Sequence, residues 1–478
     1  MTHANFMALL PLIITGYFCA LLMIFVAFKR SNSAAFVLTL IGLGAALISV
    51  GITLAYTPRT VSSFLIVDWF SLFFTGLVLA AVLLVAMLSH SYFKSHVRES
   101  EAFYLLLLLA VLGMETVVSS IHFVSFFLGV EILSVSLYGL IGYTREYKPS
   151  LEAAIKYLVL TAASSAFLLF GIAMVYTDAG TMNFQRLTTG MAHGQASPMM
   201  TFGLAMILVL FGFKLAIAPF HMWSPDVYQG APAPTTALIA TGSKGAVFAL
   251  LLRLVTMWDL NGNQTTFLVL AVLAVATMFI GNLLALMQTN VKRLLAYSSI
   301  AHIGYLLIPL LAGGTRGPSS IAFYLVSYFA ATITAFGVIA VLSATRPMGD
   351  TEELADYRGL SLQHPVLAAI FALAMLSLTG IPPTAGFIAK FYIFSAAAQS
   401  GLWWLLIVGI INSGISAFYY LRVVAALYSH EGADPLPGPK TSGMIALVVS
   451  TAVMVVFGIY PSPLIRLAQI ATQELGIR

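Results

Sequence analysis

Five charged side chains stand inside long apolar segments of this sequence. They are Glu115, Glu131, Lys214, Lys244 and Lys390. A charge near the centre of a bilayer costs at least about 2.5–3.5 kcal/mol on insertion scales, so such residues usually face a bundle interior or water and mark ion pathways. Burial weakens the hold of a lysine on its proton, and a neighbouring carboxylate strengthens it. The attraction between a protonated lysine and a carboxylate 4 Å away is about 4 kcal/mol at an effective dielectric constant of 20. A row of buried lysines therefore indicates proton transfer.

Histidines and hydroxyls could connect these lysines. His221 follows Lys214 by two turns in FGFKLAIAPFHMW, and His302 lies in YSSIAHIGY beside Ser298 and Ser299. Imidazole titrates near neutrality, but a lone intramembrane histidine can equally be a hydrogen-bonding group in helix packing, so both interpretations stay open. The two serines could add hydroxyls to a water wire.

A structural interpretation competes with the functional one at every charge. A lysine or arginine near the end of a span can extend its head to the lipid headgroups or form a static ion pair. That interpretation is favoured for Lys156, Arg253 and Arg422, which lie nearer span ends, and His122 is expected at an interface. The three deep lysines lie near mid-segment or beside a predicted helix break, which favours function.

The composition is that of an integral membrane protein. Of 478 residues 60% are hydrophobic and 8% are charged, against about 25% charged in soluble domains, and the mean hydropathy is +0.98. A helical span needs about 20 apolar residues. The sequence predicts a single all-α, polytopic membrane domain over residues 1–478, with fourteen spans at 4–28, 34–56, 64–90, 102–121, 122–143, 151–177, 199–219, 232–257, 264–288, 292–312, 317–344, 365–400, 402–428 and 440–461.

Two of these spans are predicted to be broken. The seventh runs into Pro219 and the polar tail HMWSPDVYQGAPAP, and the twelfth contains Gly380-Ile381-Pro382-Pro383. Proline removes a backbone donor and clashes with the preceding turn. Such breaks occur at membrane depth where they are buried in protein or line a watery cavity.

The distribution of basic residues predicts the topology. With the amino terminus outside, the inside loops carry Lys29, Arg30, Lys94, Arg98, Arg145, Lys148, Lys292, Arg293, Arg346, Arg358 and Lys440. The outside segments carry only Arg59, Arg186, Arg316, Arg466 and Arg478. Because cytoplasmic loops are enriched in Lys and Arg, both termini are predicted on the outer, periplasmic side.

Several other classes of function find no support in the sequence. Cys19 is the only cysteine, and no His, Cys or carboxylate spacing typical of a metal site is present. Nucleotide-binding glycine motifs are absent too, and the charge pattern indicates topology and not nucleic-acid binding.

The acids Asp350, Glu352, Glu353 and Asp356 of the loop 345–364 are expected in a solvated face or a partner contact. The carboxyl-terminal PSPLIRLAQIATQELGIR suggests a short interfacial helix.

Several long motifs between about residues 60 and 430 resemble the antiporter-like membrane subunits of respiratory complex I. They are GVEILSVSLYGLIGY, KYLVLTAASSAFLLFGIAMVY, FKLAIAPFHMWSPDVYQGAPAPTTALIATGSKGA, NVKRLLAYSSIAHIGY and GIPPTAGFIAKFYIF. Within this family, which also includes Mrp-type sodium/proton antiporters, the match is closest to the N-type subunits, because Lys390 stands where M-like chains typically have glutamate. Two residues depart from the family pattern: Gln229 stands where VYEGAP is usual, and Glu115 is an additional acid.

The resemblance implies an arrangement of the charged residues. Two inverted five-helix repeats would cover spans 4–8, residues 102–257, and spans 9–13, residues 264–428, each with one broken helix. Glu131 and Lys214 would form a gating ion pair, Lys244 would be the central proton station, and Lys390 would be the terminal one.

The resemblance also implies auxiliary roles for other residues. His221 and His302 would be relay intermediates, and Lys156 would be an auxiliary partner. Glu115 would supply a counter-charge to Lys156 or to a neighbouring subunit.

The function implied is that of a proton-translocating membrane subunit of a bacterial NADH-quinone oxidoreductase in the cell inner membrane. NADH, FMN, iron–sulfur clusters and quinone are expected in partner subunits, with no redox centre in this chain. Its neighbours would be M-like, K-like and J-like membrane subunits and the lipid bilayer. Three alternatives stay open: an Mrp-type cation/proton antiporter subunit, a subunit that only braces the membrane arm, and, least supported, a quinone-binding enzyme.

Overall fold

The computed structural model describes residues 2–97, 99–192, 197–258, 264–344, 349–430 and 441–476, and the chain in these ranges is almost entirely helical. Arg98, Arg346, Lys440 and Arg478 of the predicted topology lie outside them. The helices are α1 (His3–Ala8), α2 (Leu10–Phe28), α3 (Asn32–Thr53), α4 (Trp69–His96), α5 (Glu101–Val118), α6 (Phe123–Ile141), α7 (Lys148–Ala179), α8 (Phe184–Ala192), α9 (Pro198–Leu215), α10 (Trp223–Gly230), α11 (Ala233–Leu238), α12 (Lys244–Met257), α13 (Gln264–Leu286), α14 (Val291–Ala312), α15 (Arg316–Ser343), α16 (Leu360–Gln363), α17 (Pro365–Thr379), α18 (Ala385–Gln399), α19 (Trp403–Leu427), α20 (Thr441–Ile459) and α21 (Ser462–Gln473).

The all-α polytopic fold is confirmed. Twelve helices of the described residues are long and apolar enough to cross a membrane, and a thirteenth span results if the bent pair α20 and α21 is counted as one. Helices α17 and α18 have 15 residues each, which is too short for a span alone. The sequence predicts that the two form one broken span, which would bring the count to fourteen, and that count stays a prediction.

Both predicted helix breaks are present. Helix α9 ends at Leu215 and α10 begins at Trp223, so Pro219 lies in the non-helical segment between them. Helix α17 ends at Thr379 and α18 begins at Ala385, on either side of the prolines. Backbone groups released at the first break find side-chain partners, since Trp223 Nε1 donates to the Phe213 carbonyl at 2.8 Å.

A short β-hairpin replaces the start of the third predicted span. Strand β1 (Arg59–Val61) pairs antiparallel with β2 (Leu65–Val67), with Thr60 opposite Ile66. Helix α4 starts only after the hairpin, where Asp68 and Ser71 form a reciprocal capping box. The predicted start at residue 64 is therefore too early.

The bundle has two opposite ends. The basic face carries Lys94 and Arg145, and Arg30 is bonded there to Glu99. The hairpin face carries β1 and β2, whose Ile66 N–H donates to the Ser119 carbonyl at 2.8 Å. Segments near both termini lie on the hairpin face, because Asn5 accepts a bond from Arg59 and Glu474 lines a cavity with Pro58. The assignment of the basic face to the inside stays a prediction.

Two helix pairs pack closely through glycine. A Cβ at Gly113 of α5 would lie 2.7 Å from the Leu133 nitrogen of α6, and a Cβ at Gly281 of α13 would lie 2.6 Å from the Ala301 nitrogen of α14. Small residues allow helix backbones to approach in this way. These pairs are the first two helices of each predicted five-helix repeat.

The carboxyl-terminal segment forms the predicted short helix. Helix α21 turns by 92° from α20, so it runs across the direction of the bundle. It packs on α15 and α4.

Candidate functional site

Lys214, Lys244 and Lys390 share one type of environment. Each is at most 5% exposed. Each ammonium donates to a serine hydroxyl and lies 5.1–5.5 Å from the centre of a tyrosine ring. Among the described residues, no carboxylate oxygen lies within 4.0 Å of any of the three. The three lysines are therefore held by neutral groups.

Lys214 lies on the last turn of α9, directly before the break. Its Nζ donates to Ser134 Oγ of α6 at 2.6 Å and to Tyr157 OH of α7 at 3.3 Å. The helix ends here because Ala216 adopts a left-handed conformation, with φ at 58°, and Pro219 lacks the N–H that would continue the ladder. The break thus places the ammonium at a helix end and between two other helices.

Glu131 is near Lys214 but does not touch it. The carboxylate accepts a hydrogen bond from Ser165 of α7, whereas the lysine is held by Ser134, three residues after Glu131 on the same face of α6. The direct pair implied by the resemblance is not formed in this structure and stays a prediction.

Lys244 is the least exposed of the three lysines, at 1%. A single π-turn, Ile239–Ser243, precedes it and joins α11 to α12, and such turns occur frequently at functional sites. Lys244 Nζ lies 2.5 Å from Ser299 Oγ of α14 and 5.5 Å from the centre of the Tyr228 ring. Tyr228 OH is itself 3.2 Å from Ser299 Oγ.

Lys390 closes the second break. Its Nζ donates to the Thr379 carbonyl at 2.7 Å, a group that the end of α17 leaves without a helical partner, and to Ser413 Oγ at 2.9 Å. Gly380 has φ at 88°, and a Cβ there would lie 2.8 Å from Lys390 Cδ. Glycine at this position therefore permits the left-handed turn and leaves space for the Lys390 side chain.

His302 is 4% exposed and lines a small cavity together with Lys390. Its Nδ1 is 2.6 Å from Tyr324 OH and its Nε2 is 3.1 Å from Tyr420 OH. Tyr420 OH also bonds Ser298, the neighbour of the serine that holds Lys244. A series of hydroxyl and imidazole groups thus runs from the neighbourhood of Lys244 to His302.

A small cavity lies between His302 and Lys390. It has a volume of about 10 Å³ and is lined by His302, Tyr328, Ser377 and Lys390, among others. Ser377 Oγ and Tyr328 OH are buried without a hydrogen-bond partner in the described part of the chain. The cavity is close to the size that one water needs, roughly 10–15 Å³, and offers it polar partners.

Two predicted auxiliary residues do not contact the three lysines. Lys156 forms ion pairs with Glu152 at 2.7 Å and Asp226 at 2.8 Å, and its side chain is 42% exposed. His221 is half-buried, and its Nδ1 has no partner among the described residues. Lys156 thus forms partly exposed ion pairs in this structure, as its position near a span end favours. The role of His221 stays a prediction.

Glu115 faces the amino-terminal helices. It is 2% exposed, its Oε1 lies 3.3 Å from Thr15 Oγ1 of α2, and its Oε2 has no partner within the described ranges. Lys156 pairs instead with Glu152 and Asp226, so it is not the counter-charge of Glu115 in this structure, and the expected role of Glu115 toward a neighbouring subunit stays a prediction.

Asp350 corrects another expectation. It is buried and lies 2.6 Å from Lys292 Nζ, so its placement in a solvated face or a partner contact is wrong. The reason is that the loop folds back on the start of α14, where the Val291 N–H donates to the Glu352 carbonyl at 2.6 Å. Gln229, the departure from the family pattern, accepts a bond from Arg293 at 3.1 Å.

Sequence reasoning missed the neutral partners of the lysines. Tyr157, Tyr228 and Tyr305 supply the rings, and Ser134 and Ser413 supply hydroxyls. Only Ser134 could have been identified from the sequence, because it follows Glu131 by three residues and therefore lies on the same helix face. The others come from helices distant in sequence.

The arrangement can exchange protons between amines, hydroxyls and an imidazole. No group of three or more His, Cys, Asp or Glu residues is placed to hold a metal ion in the part of the chain that was described. The amines, hydroxyls and imidazole at the three lysines are groups that can perform acid–base chemistry.

Comparisons with known proteins agree with this architecture. Residues 120–416 match the family model described as NADH:quinone oxidoreductase/Mrp antiporter, TM. A chain of respiratory complex I from Thermus thermophilus, in a structure with bound aureothin, is 34% identical, with 95% of this chain and 98% of that chain covered and a TM-score of 0.82.

Two further solved structures are similar. A chain of the membrane-bound sulfane sulfur reductase, an archaeal respiratory membrane complex, is 25% identical over 99% of this chain and 97% of that one, with a TM-score of 0.84. A chain of the Mrp complex from Dietzia sp. DQ12-45-1b is 21% identical over 100% and 98%, with a TM-score of 0.85. The last likeness concerns the fold alone. The matched chains are parts of multi-subunit membrane complexes.

Proposed function

Because the chain belongs to the NADH:quinone oxidoreductase/Mrp antiporter membrane family, we propose that it is a proton-translocating membrane subunit of an NADH:quinone oxidoreductase, of the N type. The observation that carries the proposal is the shared environment of Lys214, Lys244 and Lys390: each is buried, lies beside a helix interruption and is held by neutral groups. A lysine without a fixed counter-charge can gain and lose a proton without breaking an ion pair.

The first step of the proposed mechanism takes place at Lys214. Quinone reduction elsewhere in the complex changes charge or hydration along the membrane arm, and the lysine exchanges Ser134 for Glu131 as its partner. Both partners lie on one face of α6, three residues apart, so the exchange takes place along one helix face. Loss of the carboxylate contact releases the proton toward Lys244.

The second step takes the proton from Lys244 to Lys390. Ser299 contacts Lys244, its chain neighbour Ser298 bonds Tyr420, Tyr420 bonds His302, and the small cavity lies between His302 and Lys390. Each transfer passes one proton between adjacent groups, so no electron moves and no cofactor of this chain takes part. NADH, FMN, iron–sulfur clusters and quinone belong to partner subunits in this proposal.

The two predicted repeats supply the framework. Residues 102–257 and 264–428 each start with a glycine-packed helix pair and contain one broken helix, and Lys214 and Lys390 stand beside the respective breaks. Inverted repeats of this kind are common in transporters, which bind their ions near the repeat interface.

The proposed location is the cell inner membrane, with the basic face inside and both termini on the periplasmic side. M-like, K-like and J-like membrane subunits are the proposed neighbours. The enrichment of basic residues at one end of the bundle supports this orientation.

The test uses inverted membrane vesicles that contain the whole complex. We expect Lys214→Ala and Glu131→Gln to depress proton pumping coupled to quinone reduction, while NADH oxidation by an artificial acceptor stays nearly intact. Normal coupled pumping in both variants would contradict the relay.

An Mrp-type cation/proton antiporter is the second candidate, because the family model covers both groups and the Mrp chain has the same fold. It would use the same lysines. Purification of the tagged chain in a mild detergent separates the candidates: flavin and iron–sulfur subunits copurify with a complex I subunit and do not copurify with an Mrp subunit.

A further inference from the structure

A water-accessible cavity opens on the basic face, away from the three lysines. Its volume is about 790 Å³, and its lining includes Lys94, His96, Glu146 and Tyr147 toward the solvent and Asp350 at its inner side. The segment Gly230–Pro232, which joins α10 to α11, also lines it. The cavity thus extends from the charged loops to the end of the first broken helix.

A buried ion pair closes the inner end of this cavity. Lys292 Nζ lies 2.6 Å from Asp350 Oδ2, and the two side chains are 1% and 3% exposed. The same ammonium donates to the carbonyls of Gln229 at 2.8 Å and Ala231 at 2.6 Å, so its three hydrogens all have acceptors. Asp350 Oδ1 accepts a bond from Tyr92 OH at 2.7 Å.

Titratable groups surround the pair on its solvent side. Tyr92 and His96 stack with their ring centres 4.2 Å apart, and His96 Nε2 is buried without a hydrogen-bond partner in the described ranges. Tyr147 approaches the loop at Gly349, and Glu352 is half-buried nearby with its Oε2 unpartnered among the described residues. Among the described residues, Lys292 is the cation whose nitrogen lies within 4.0 Å of an Asp350 carboxylate oxygen.

The pair is aligned with Lys244. Lys292 and Ser299 are seven residues apart on α14, so they lie on one face of that helix, separated by about 10 Å of helix axis. Ser299 holds Lys244 at 2.5 Å. The ammonium of Lys292 also fixes the backbone that leads from α10 to α11, and hence to Lys244.

We propose that the Lys292–Asp350 pair is the entry gate through which protons from the basic face reach Lys244, an inference that rests on the proposed function. A proton from water in the cavity binds the Asp350 carboxylate and neutralises it. Lys292 then gives one proton through water and the Ser299 hydroxyl to the neutral amine of Lys244. The carboxylic acid of Asp350 returns its proton to Lys292, which restores the ion pair, so one proton has moved inward.

The first test compares three substitutions in the assembled complex in inverted vesicles. Asp350→Asn keeps the side-chain shape and loses the exchangeable acid, and we expect it to lose proton pumping per NADH oxidised while oxidation with an artificial acceptor is retained. Asp350→Glu should restore pumping. Glu146→Gln is the matched control, since it removes an exposed carboxylate from the same cavity and should pump normally.

Two outcomes would overturn the gate. One is normal pumping by Asp350→Asn when Lys244→Met has lost it, which would leave the proposed function intact and remove only this entry. The other concerns the cavity and does not depend on an Asp350 variant. Tyr147→Cys in a Cys19→Ser background should react with a membrane-impermeant maleimide from the basic face, and protection from the reagent would contradict access by water.

Discussion

The ammonium of Lys244 lies 2.5 Å from the hydroxyl oxygen of Ser299. Lys244 begins α12, in the first predicted repeat, and Ser299 lies in α14, in the second. The contact therefore joins the two halves of the bundle at a buried cation. Ser298, the residue before Ser299, bonds Tyr420, and Tyr420 bonds His302. The contact therefore brings Lys244 to the start of a hydrogen-bonded series that ends at His302.

Ser299→Ala tests this contact. Removing the hydroxyl leaves a buried ammonium with one partner fewer, which should destabilise the protein by about 1–3 kcal/mol or more and slow coupled proton pumping. The thermal midpoint of the purified complex in detergent and pumping in vesicles measure the two effects. Ser320→Ala is the control, because Ser320 is similarly buried and, among the described residues, its hydroxyl bonds the Gly317 carbonyl of its own helix and no charged group. Equal pumping in both variants would contradict a role for the Ser299 hydroxyl.

Gly380→Ala tests whether the second break positions Lys390. A non-glycine residue in left-handed conformation costs roughly 1–2 kcal/mol, and the added Cβ would also lie 2.8 Å from Lys390 Cδ. We expect lower stability together with reduced pumping. Gly401→Ala has comparable backbone strain, with φ at 73°, but its Cβ would meet no atom within 4 Å, so it should lose stability and keep pumping. If both variants pump alike, the position of Lys390 does not depend on Gly380.

The buried pair Asp68–Arg253 is expected to be structural. Two hydrogen bonds of 2.7 and 2.9 Å join the carboxylate to the guanidinium, and breaking such a pair costs about 3–5 kcal/mol because a buried charge loses its partner. Asp68→Asn should therefore lower the thermal midpoint markedly. Glu99→Gln, which breaks the pair with Arg30 at 66% and 64% exposure, should change stability by about 1 kcal/mol or less. A similar change in thermal midpoint in Asp68→Asn and Glu99→Gln would show that burial does not determine how much each pair stabilises the protein.

The same pair predicts a dependence on pH. Burial would raise the pKa of the Asp68 carboxyl, but Arg253 and the bonds from Ser71 outweigh it and hold this pKa below its ordinary value. The pair therefore contributes its full stability above the unfolded pKa of about 3.9 and loses it as the pH falls through the folded pKa. The difference in thermal midpoint between wild type and Asp68→Asn should be largest near neutrality and shrink in acid below that value. A difference in thermal midpoint that stays constant well below the unfolded pKa would contradict the assignment.

The sequence was sufficient for features that depend on local chemistry. Pro219 and Pro382-Pro383 break helices because proline cannot continue the hydrogen-bond ladder, and apolar length determines the spans. The three deep lysines could be identified in the same way, since a charge in an apolar run is costly wherever the chain folds. The start of α4 was misplaced because the apolar hairpin residues 64–67 read as a continuation of the span.

The partners of these charges could not be predicted because they come from distant parts of the chain. Lys214 meets Ser134 of another helix, Asp350 folds back to Lys292, and Glu115 faces Thr15. A single sequence shows which residues are polar but not which helix faces meet. The resemblance suggested a direct Glu131–Lys214 pair, whereas the structure holds the two on separate serines.

The most direct test of the central claim is the number of protons pumped per NADH oxidised in vesicles that contain Lys244→Met. The account predicts loss of pumping with retained NADH oxidation by an artificial acceptor, because the central buried amine is gone. Lys156→Met is the matched control and should pump normally, since that lysine is partly exposed and paired with Glu152 and Asp226. An unchanged pumping ratio in Lys244→Met, with the complex fully assembled, would contradict the relay and favour a subunit that only braces the membrane arm.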